Sequence, residues 1–276
     1  MDSDLLREVV EQLADQIQPT PHSKKLNDVG RILTIVDGTL LKSLPKTVDA
    51  LWKDENNKAF KAHFQYEILK AVPVAGELTN GKANEKTVLS AALQYGRFYV
   101  LDRGFAKYEL MQQIIDAGSH FVCRIYDVAD YELLQDRQLD SDSLKAGICR
   151  DMVVRLGSQP VRILQLKPTE QTEYSVITLA YRGRRRPETM LIATDRLDLP
   201  ADVIALIYRC RWQVEIFFRF FKHVLGCHHL LSRCANGVQL QVYAAIIACL
   251  LIALYTGRKP TKRTYQMLCW YPCRLG

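Results

Sequence analysis

The sequence predicts an α/β protein: a mixed β-sheet flanked by helices, with a β-rich insertion ahead of a long amphipathic helix. Three observations carry this. Short apolar runs rich in β-branched residues alternate with stretches of helical spacing. Two of those runs stop abruptly, at Asp37-Gly38 and at Asp102-Arg103-Gly104. Residues 200–225 keep a helical period, with Pro200 suited to the first turn and Gly226 to the position past the last.

Taken in order, residues 1–19 read as a short helix that ends at Pro19-Thr20-Pro21. Ile32–Val36 is a β-branched strand, and Lys61–Ile68 and Val72–Leu78 read as two further strands of a meander. Glu85–Tyr95 has helical spacing with Gly96 just beyond it. Phe98–Leu101 is a second short buried strand, Phe105–Ala117 a helix and Phe121–Tyr126 a fifth strand. Both aspartates then fall at the C-terminal ends of apolar strands, the edge where ligands bind in open α/β sheets. From 127 to 187 the texture turns polar around strand-like runs at Met152–Leu156, Val161–Leu166 and Tyr174–Tyr181. This insertion closes in Tyr181-Arg-Gly-Arg-Arg-Arg186. Its Arg184, Arg185 and Arg186 read either as a solvated turn or as an edge that grips DNA phosphates.

Composition narrows the class. With 48% apolar and 24% charged residues, a chain of 276 residues is an ordinary globular sequence with enough length for a buried core. The net charge of +7 tilts it towards an anionic partner such as DNA. Eight cysteines are scattered without a CxxC pair behind an acidic, amphipathic N-terminus, which argues against a disulfide framework. Cys227, His228, His229 and Cys234 lie close together, but their spacing matches no common zinc site. The most apolar stretch, Val242–Leu254, is too short for a bilayer core of about 30 Å and reads as a buried helix. The expectation is a cytoplasmic protein with no membrane partner.

The segment 200–225 is the most informative. At about 100° per residue, Tyr208, Arg211, Glu215 and Lys222 fall on one narrow helix face. Val203, Ile207, Cys210, Val214, Phe217, Phe221 and Leu225 occupy another sector and form the stripe that packs on the sheet. A row like this also suits a solvent-facing helix with an Arg211–Glu215 pair. The tyrosine and the two upstream aspartates favour chemistry. In-line attack on a phosphodiester uses two divalent ions about 3.5–4 Å apart, and magnesium takes hard oxygen ligands. Two strand-end aspartates and a helical glutamate on rigid elements meet that need. Arg211 and Lys222 on the same face would offset the clustered charge and hold phosphates.

At these residues a resemblance enters. Tyr208-(2)-Arg211-(3)-Glu215-(6)-Lys222, within YRCRWQVEIFFRFFK, resembles the signature of the IS-four type of bacterial insertion-sequence transposases. Asp37 in IVDGTLL and Asp102 in VLDRGF resemble the first two acids of that family's DDE triad, and the likeness covers roughly residues 30–265. It implies a ribonuclease H-like core whose third acid, Glu215, follows the β-rich insertion. It implies that Asp37, Asp102 and Glu215 bind Mg2+, with Mn2+ able to substitute. The implied activity is DNA hydrolysis at element ends and joining of free 3′ ends to a target. Some members pass through a hairpin with a flipped base near the Tyr-Arg pair. Tyr208, Arg211 and Lys222 become DNA-end contacts, and double-stranded DNA and a second subunit of a homodimer become the partners. His63, in KAHF, sits where relatives often carry a Lys-x-His pattern.

The resulting division is an N-terminal helical remnant at 1–30, the first part of the core at 31–126, the insertion at 127–189, and the second part with C-terminal helices at 190–276. Only 36 residues precede Asp37, where family members usually carry a DNA-end-binding region, and Cys269-Trp-Tyr-Pro-Cys-Arg-Leu-Gly276 lacks the polar helical continuation expected, so both ends read as clipped. Two other readings stay open: a non-catalytic DNA- or partner-binding remnant that inhibits transposition, and a stand-alone metal-dependent nuclease without strand transfer.

Overall fold

A computed structural model describes residues 3–20, 24–42, 58–157, 159–167 and 189–270. The expected strand Tyr174–Tyr181 and Arg184, Arg185 and Arg186 lie outside the described residues. In chain order, helices α1 (Ser3–Gln16) and α2 (Lys24–Asn27) precede strand β1 (Ile32–Lys42). β2 (Ala59–Glu67) and β3 (Val72–Asn80) form a hairpin, followed by α3 (Glu85–Ala91) and β4 (Arg97–Leu101). A 3-10 turn at Arg103–Phe105 leads to α4 (Tyr108–Asp116) and β5 (His120–Ile125). β6 (Glu132–Arg137), α5 (Ser141–Lys145), β7 (Ile148–Leu156), β8 (Gln159–Leu166) and β9 (Met190–Thr194) come next. Helices α6 (Ala201–Arg209), α7 (Trp212–His223), α8 (Ala235–Thr256) and α9 (Lys262–Trp270) complete the described chain.

The chain divides into two units built from interleaved stretches. The first holds Met1–Pro21, Val36–Val88 and Gln213–Gly276; the second holds His22–Ile35 and Leu89–Trp212.

In the second unit the start of β1 runs parallel to β4, with Ile32 opposite Arg97 and Ile35 opposite Val100. β4 runs parallel to β5, and β5 is antiparallel to β9. The sheet then continues β9-β8-β7-β6, all antiparallel. The strands of the expected insertion thus extend the sheet through β8 and β9. Side chains of β4 and β5 from Phe98 to Leu101 and from Phe121 to Cys123 are fully buried, as strands covered on both faces require. A buried ion pair joins β7 to β8: Arg162 Nε and Nη2 donate to Asp151 at 2.8 and 2.6 Å, and Nη1 donates to the Leu199 carbonyl ahead of α6.

In the first unit the strand order is β3-β2-β1. Almost every side chain of β2 is buried, because helices cover it as well as neighbouring strands. Phe64 meets Phe217 and Phe221 of α7 edge-on at ring distances of 5.2 and 5.1 Å. Each such buried phenylalanine is worth about 1.5–3 kcal/mol of apolar burial. α8 packs on α1 and β3. Its Tyr243 hydroxyl donates to the Gly76 carbonyl at 3.2 Å, and a Cβ on Gly76 would press on Ile246 at 3.0 Å.

The mixed, ribonuclease H-like sheet with flanking helices agrees with the expected fold class. Four local expectations are corrected. β1 runs to Lys42, so Asp37 lies within the strand rather than at its end; Thr39 and Leu41 stay buried and keep the alternation going. β6 and β9 were not expected, β6 because its side chains are nearly all exposed. The buried helix at 242–254 extends to Ala235–Thr256, 22 residues that are long and apolar enough to cross a membrane, half buried in the protein. Finally, residues 200–225 form two helices. Cys210 N–H bonds to both Leu206 and Ile207, and Arg211 N–H bonds to Tyr208 three residues back. That tightened turn ends α6 before α7 begins.

Candidate active site

Asp37 is half-buried in β1, and its Oδ1 accepts the N–H of Gly38 at 2.8 Å. The chain approaches closely here: a Cβ at Gly38 would lie 2.6 Å from Glu85 Oε1. Glu85 pairs with Lys61 Nζ at 3.3 Å, and the same amine donates to the Ala83 carbonyl at 3.3 Å. His63, two residues further along the same face of β2, is buried with Nε2 2.8 Å from Thr79 Oγ1. Burial, then the charge of Lys61, pulls its imidazole down to a pKa of about 4. The same unit carries Glu215 and Lys222 on α7. Burial lowers the pKa of the Lys222 amine, against which the charge of Glu215 acts to raise it.

In the second unit Asp102 follows directly on β4 and caps the 3-10 turn, its Oδ1 accepting the Gly104 N–H at 2.6 Å. A Cβ at Gly104 would fall 2.9 Å from that oxygen, so the turn takes no side chain there without displacing the carboxylate. One residue past the Leu101–Cys123 pair on β4 and β5 stand Asp102 and Arg124. Arg124 Nε is buried with no hydrogen-bond partner among the described residues. Tyr208 and Arg211 are both buried, at 5% and 8% exposure. Burial pushes the Tyr208 phenol up to about 12; Arg211 and Arg124 oppose that shift, while Asp102 and Cys123 add to it. These side chains therefore share one electrostatic neighbourhood.

The expected row of four side chains on one helix face is thus redistributed. Tyr208 sits on α6, Arg211 in the break, and Glu215 and Lys222 on α7. The structure gathers Asp102, Tyr208, Arg211 and Arg124 in one unit, and Asp37, Glu215, Lys222 and His63 in the other.

Among the described residues no three His, Cys, Asp or Glu side chains form a group able to hold a metal ion. Burial pushes the Cys227 thiol up to about 12. Sequence reasoning missed Arg124, Lys61 and Glu85. The signal for Arg124 was present, as a lone charge in the apolar run His120–Ile125. Nothing in the sequence pattern ties Glu85 to Gly38, forty-seven residues apart by numbering.

The fold is ribonuclease H-like, with Asp37 within β1, Asp102 just past β4, and Glu215 and Lys222 on α7. The chain belongs to the transposase DDE domain family, whose model matches residues 29–251. It is similar to y4zB of Sinorhizobium fredii, named as a transposase, with 27% identity over 78% of this chain and 60% of that protein. It is also 27% identical to a protein of Geobacillus stearothermophilus named for insertion sequence element IS5377, over 70% of this chain and 48% of the relative. The chain therefore spans about half to three-fifths of the length of those relatives. The cryo-EM structure of a piggyBac transposase synaptic complex with hairpin DNA matches with a TM-score of 0.46 at 12% identity, over 85% of this chain and 51% of that one.

Proposed function

We propose that this chain is the catalytic region of an IS-four type transposase that cuts double-stranded DNA at element ends and joins the 3′ ends to a target. The observation that carries this reading is shared by Asp37 and Asp102: one carboxylate oxygen of each is pinned by a glycine amide, that of Gly38 or of Gly104. Glu215, on the helix that covers β2, completes the acid set.

Three carboxylates are hard oxygen donors, which suits Mg2+ or Mn2+ in type. These three acids form no metal-holding group in the structure as it stands. Brought together on DNA, Asp37, Asp102 and Glu215 would hold the ions, which would supply activation of the attacking oxygen and stabilisation of the leaving one. The protein's own groups orient the strand. Arg211 offers a planar fork to a phosphate and Lys222 a compact charge. Arg124 brings a further guanidinium beside Asp102. Tyr208 and Arg211 are both buried in this structure, so their contact with a DNA end requires a change in their cover. The active form in this reading is a homodimer that pairs two ends.

The test is nicking of supercoiled plasmid by the purified chain in Mg2+ or Mn2+, beside Glu215→Gln. Nicking that vanishes in the variant supports the reading. Nicking that survives in Glu215→Gln removes Glu215 from the acid set. DNA binding with no nicking from either chain favours a non-catalytic role as a competitor for DNA ends or partner subunits.

A further inference from the structure

We propose that His223, His228 and His229, with Lys42 and Lys222, form a patch that binds DNA backbone phosphates and tightens on protonation, a role that rests on reading the chain as a DNA-acting protein. All five residues belong to the first unit. The three imidazoles are exposed and meet ring to ring, His223 and His228 at 5.4 Å between centroids and His228 and His229 at 4.8 Å. Lys222 precedes His223 at the end of α7, and Lys42 is the exposed last residue of β1.

The turn that gathers the rings is fixed by hydrogen bonds. Beyond α7 the chain folds back on the last carbonyls of the helix: Leu225 N–H donates to Phe220 at 3.1 Å, Cys227 N–H to Phe221 at 3.3 Å and His228 N–H to Lys222 at 3.0 Å. Gly226, at a φ of +79°, makes the reversal, and the fully buried Cys227 anchors it. Gln241 of α8 clamps the far side. Its side-chain amide donates to the His229 carbonyl at 2.8 Å, and its Oε1 accepts the Leu231 N–H at 2.9 Å. Desolvation by its neighbours, then the charges of His229, His223, Lys222 and Lys42, holds the His228 imidazole below its ordinary range. Those four are cations when charged, so the cluster supplies His228 with no counter-charge of its own. A phosphate among the rings would supply it and favour the imidazolium form, at a helix C-terminus that itself favours cations. Packing alone accounts for stacked rings. It does not account for three titratable rings standing exposed beside two lysines. Groups spread over a helix end, a turn and a strand end suit a run of backbone phosphates rather than one free ion.

The experiment is fluorescence anisotropy of a labelled duplex with the full chain in EDTA, at pH 8 and pH 6 and constant ionic strength. Wild type is compared with His228→Gln and with the triple variant His223→Gln, His228→Gln, His229→Gln. Each proton taken up on binding is worth up to about tenfold per pH unit, so wild type is expected to bind at least about tenfold tighter at pH 6. The triple variant is expected to stay within about threefold across the same range, and His228→Gln to lose most of the gain. Wild-type affinity that ignores pH, with the duplex still bound, overturns the patch and leaves the DNA reading standing. A full gain kept by either variant also overturns it, since the protons then enter elsewhere. Displacement of the duplex by equimolar inorganic phosphate overturns the DNA backbone as the ligand. No duplex bound by any chain at either pH defeats the DNA reading, and this role with it. Should the triple variant fail to fold, His228→Gln decides on its own.

Discussion

His63 is a buried imidazole 6% exposed, held neutral because burial and the nearby Lys61 charge both disfavour its protonated form. Its folded pKa of about 4 lies below the ordinary value of 6.5. Between these two values the unfolded chain binds a proton that the folded chain does not. Stability from this group is therefore fully present above about pH 6.5 and is lost as pH falls towards 4. From pH 7 to pH 5 the loss amounts to about 2 kcal/mol at 1.36 kcal/mol per unit. Urea unfolding at the two pH values is expected to show that drop in the wild type and a flatter profile in His63→Gln, whatever the variant costs at pH 7. An equal drop in both would assign the pH dependence to other groups. The buried Asp151–Arg162 pair is of another kind, a guanidinium and a carboxylate joined by two hydrogen bonds.

At the scale of elements, the strands were legible wherever apolar runs alternate with turn residues, and the helix break was not. β1, β2, β3, β4 and β5 all follow such runs. β6 was hidden because its side chains face solvent and carry no hydrophobic signal. β9 was hidden because Met190–Thr194 is five residues without a turn signal of its own, fixed only by pairing with β5 and β8. The α6–α7 break has no glycine or proline; YRCRW reads as continuous helix, and the tightened turn is set by tertiary burial of Tyr208 and Arg211. The candidate acids were chosen from the sequence for their place after apolar runs and on a helix, although Asp37 lies within β1. Their supports, Gly38 with Glu85 and Gly104 with the Asp102 carboxylate, depend on distances that spacing does not encode. The turn after β4 offers a direct check. In Gly104→Ala the new Cβ would stand 2.9 Å from Asp102 Oδ1, so the carboxylate must leave the Gly104 amide. Plasmid nicking is expected to fall by at least about tenfold, the scale seen when an orienting contact is lost. Thermal stability is expected to change little, because Gly104 itself is exposed. Unchanged nicking would separate Asp102's cap from its chemistry.

At the scale of the whole molecule, the two units are interleaved in sequence, so no single cut releases either one. The second unit takes its start from His22–Ile35 and the rest from Leu89–Trp212. The short stretch carries α2 and the first half of β1. Lys25 pairs with Asp202 at 2.5 Å, while Leu33 and Ile35 are 1% and 0% exposed. It also supplies the parallel partner of β4 from Arg97 to Val100. Without it, β4 becomes a bare edge flanked by apolar side chains that are otherwise fully buried, a template for aggregation. The piece Leu89–Trp212 expressed alone is therefore expected to be insoluble or to melt without a cooperative transition. Joining His22–Ile35 ahead of it through a flexible Gly/Ser linker of about 15 residues, which reaches roughly 20 Å, is expected to restore solubility and a cooperative thermal transition by circular dichroism. If Leu89–Trp212 alone folds as well as the joined piece, β1 is a passenger on this sheet rather than one of its supports. In that case the placement of Asp37 would depend on the first unit, through the Gly38–Glu85 contact, rather than on pairing with β4.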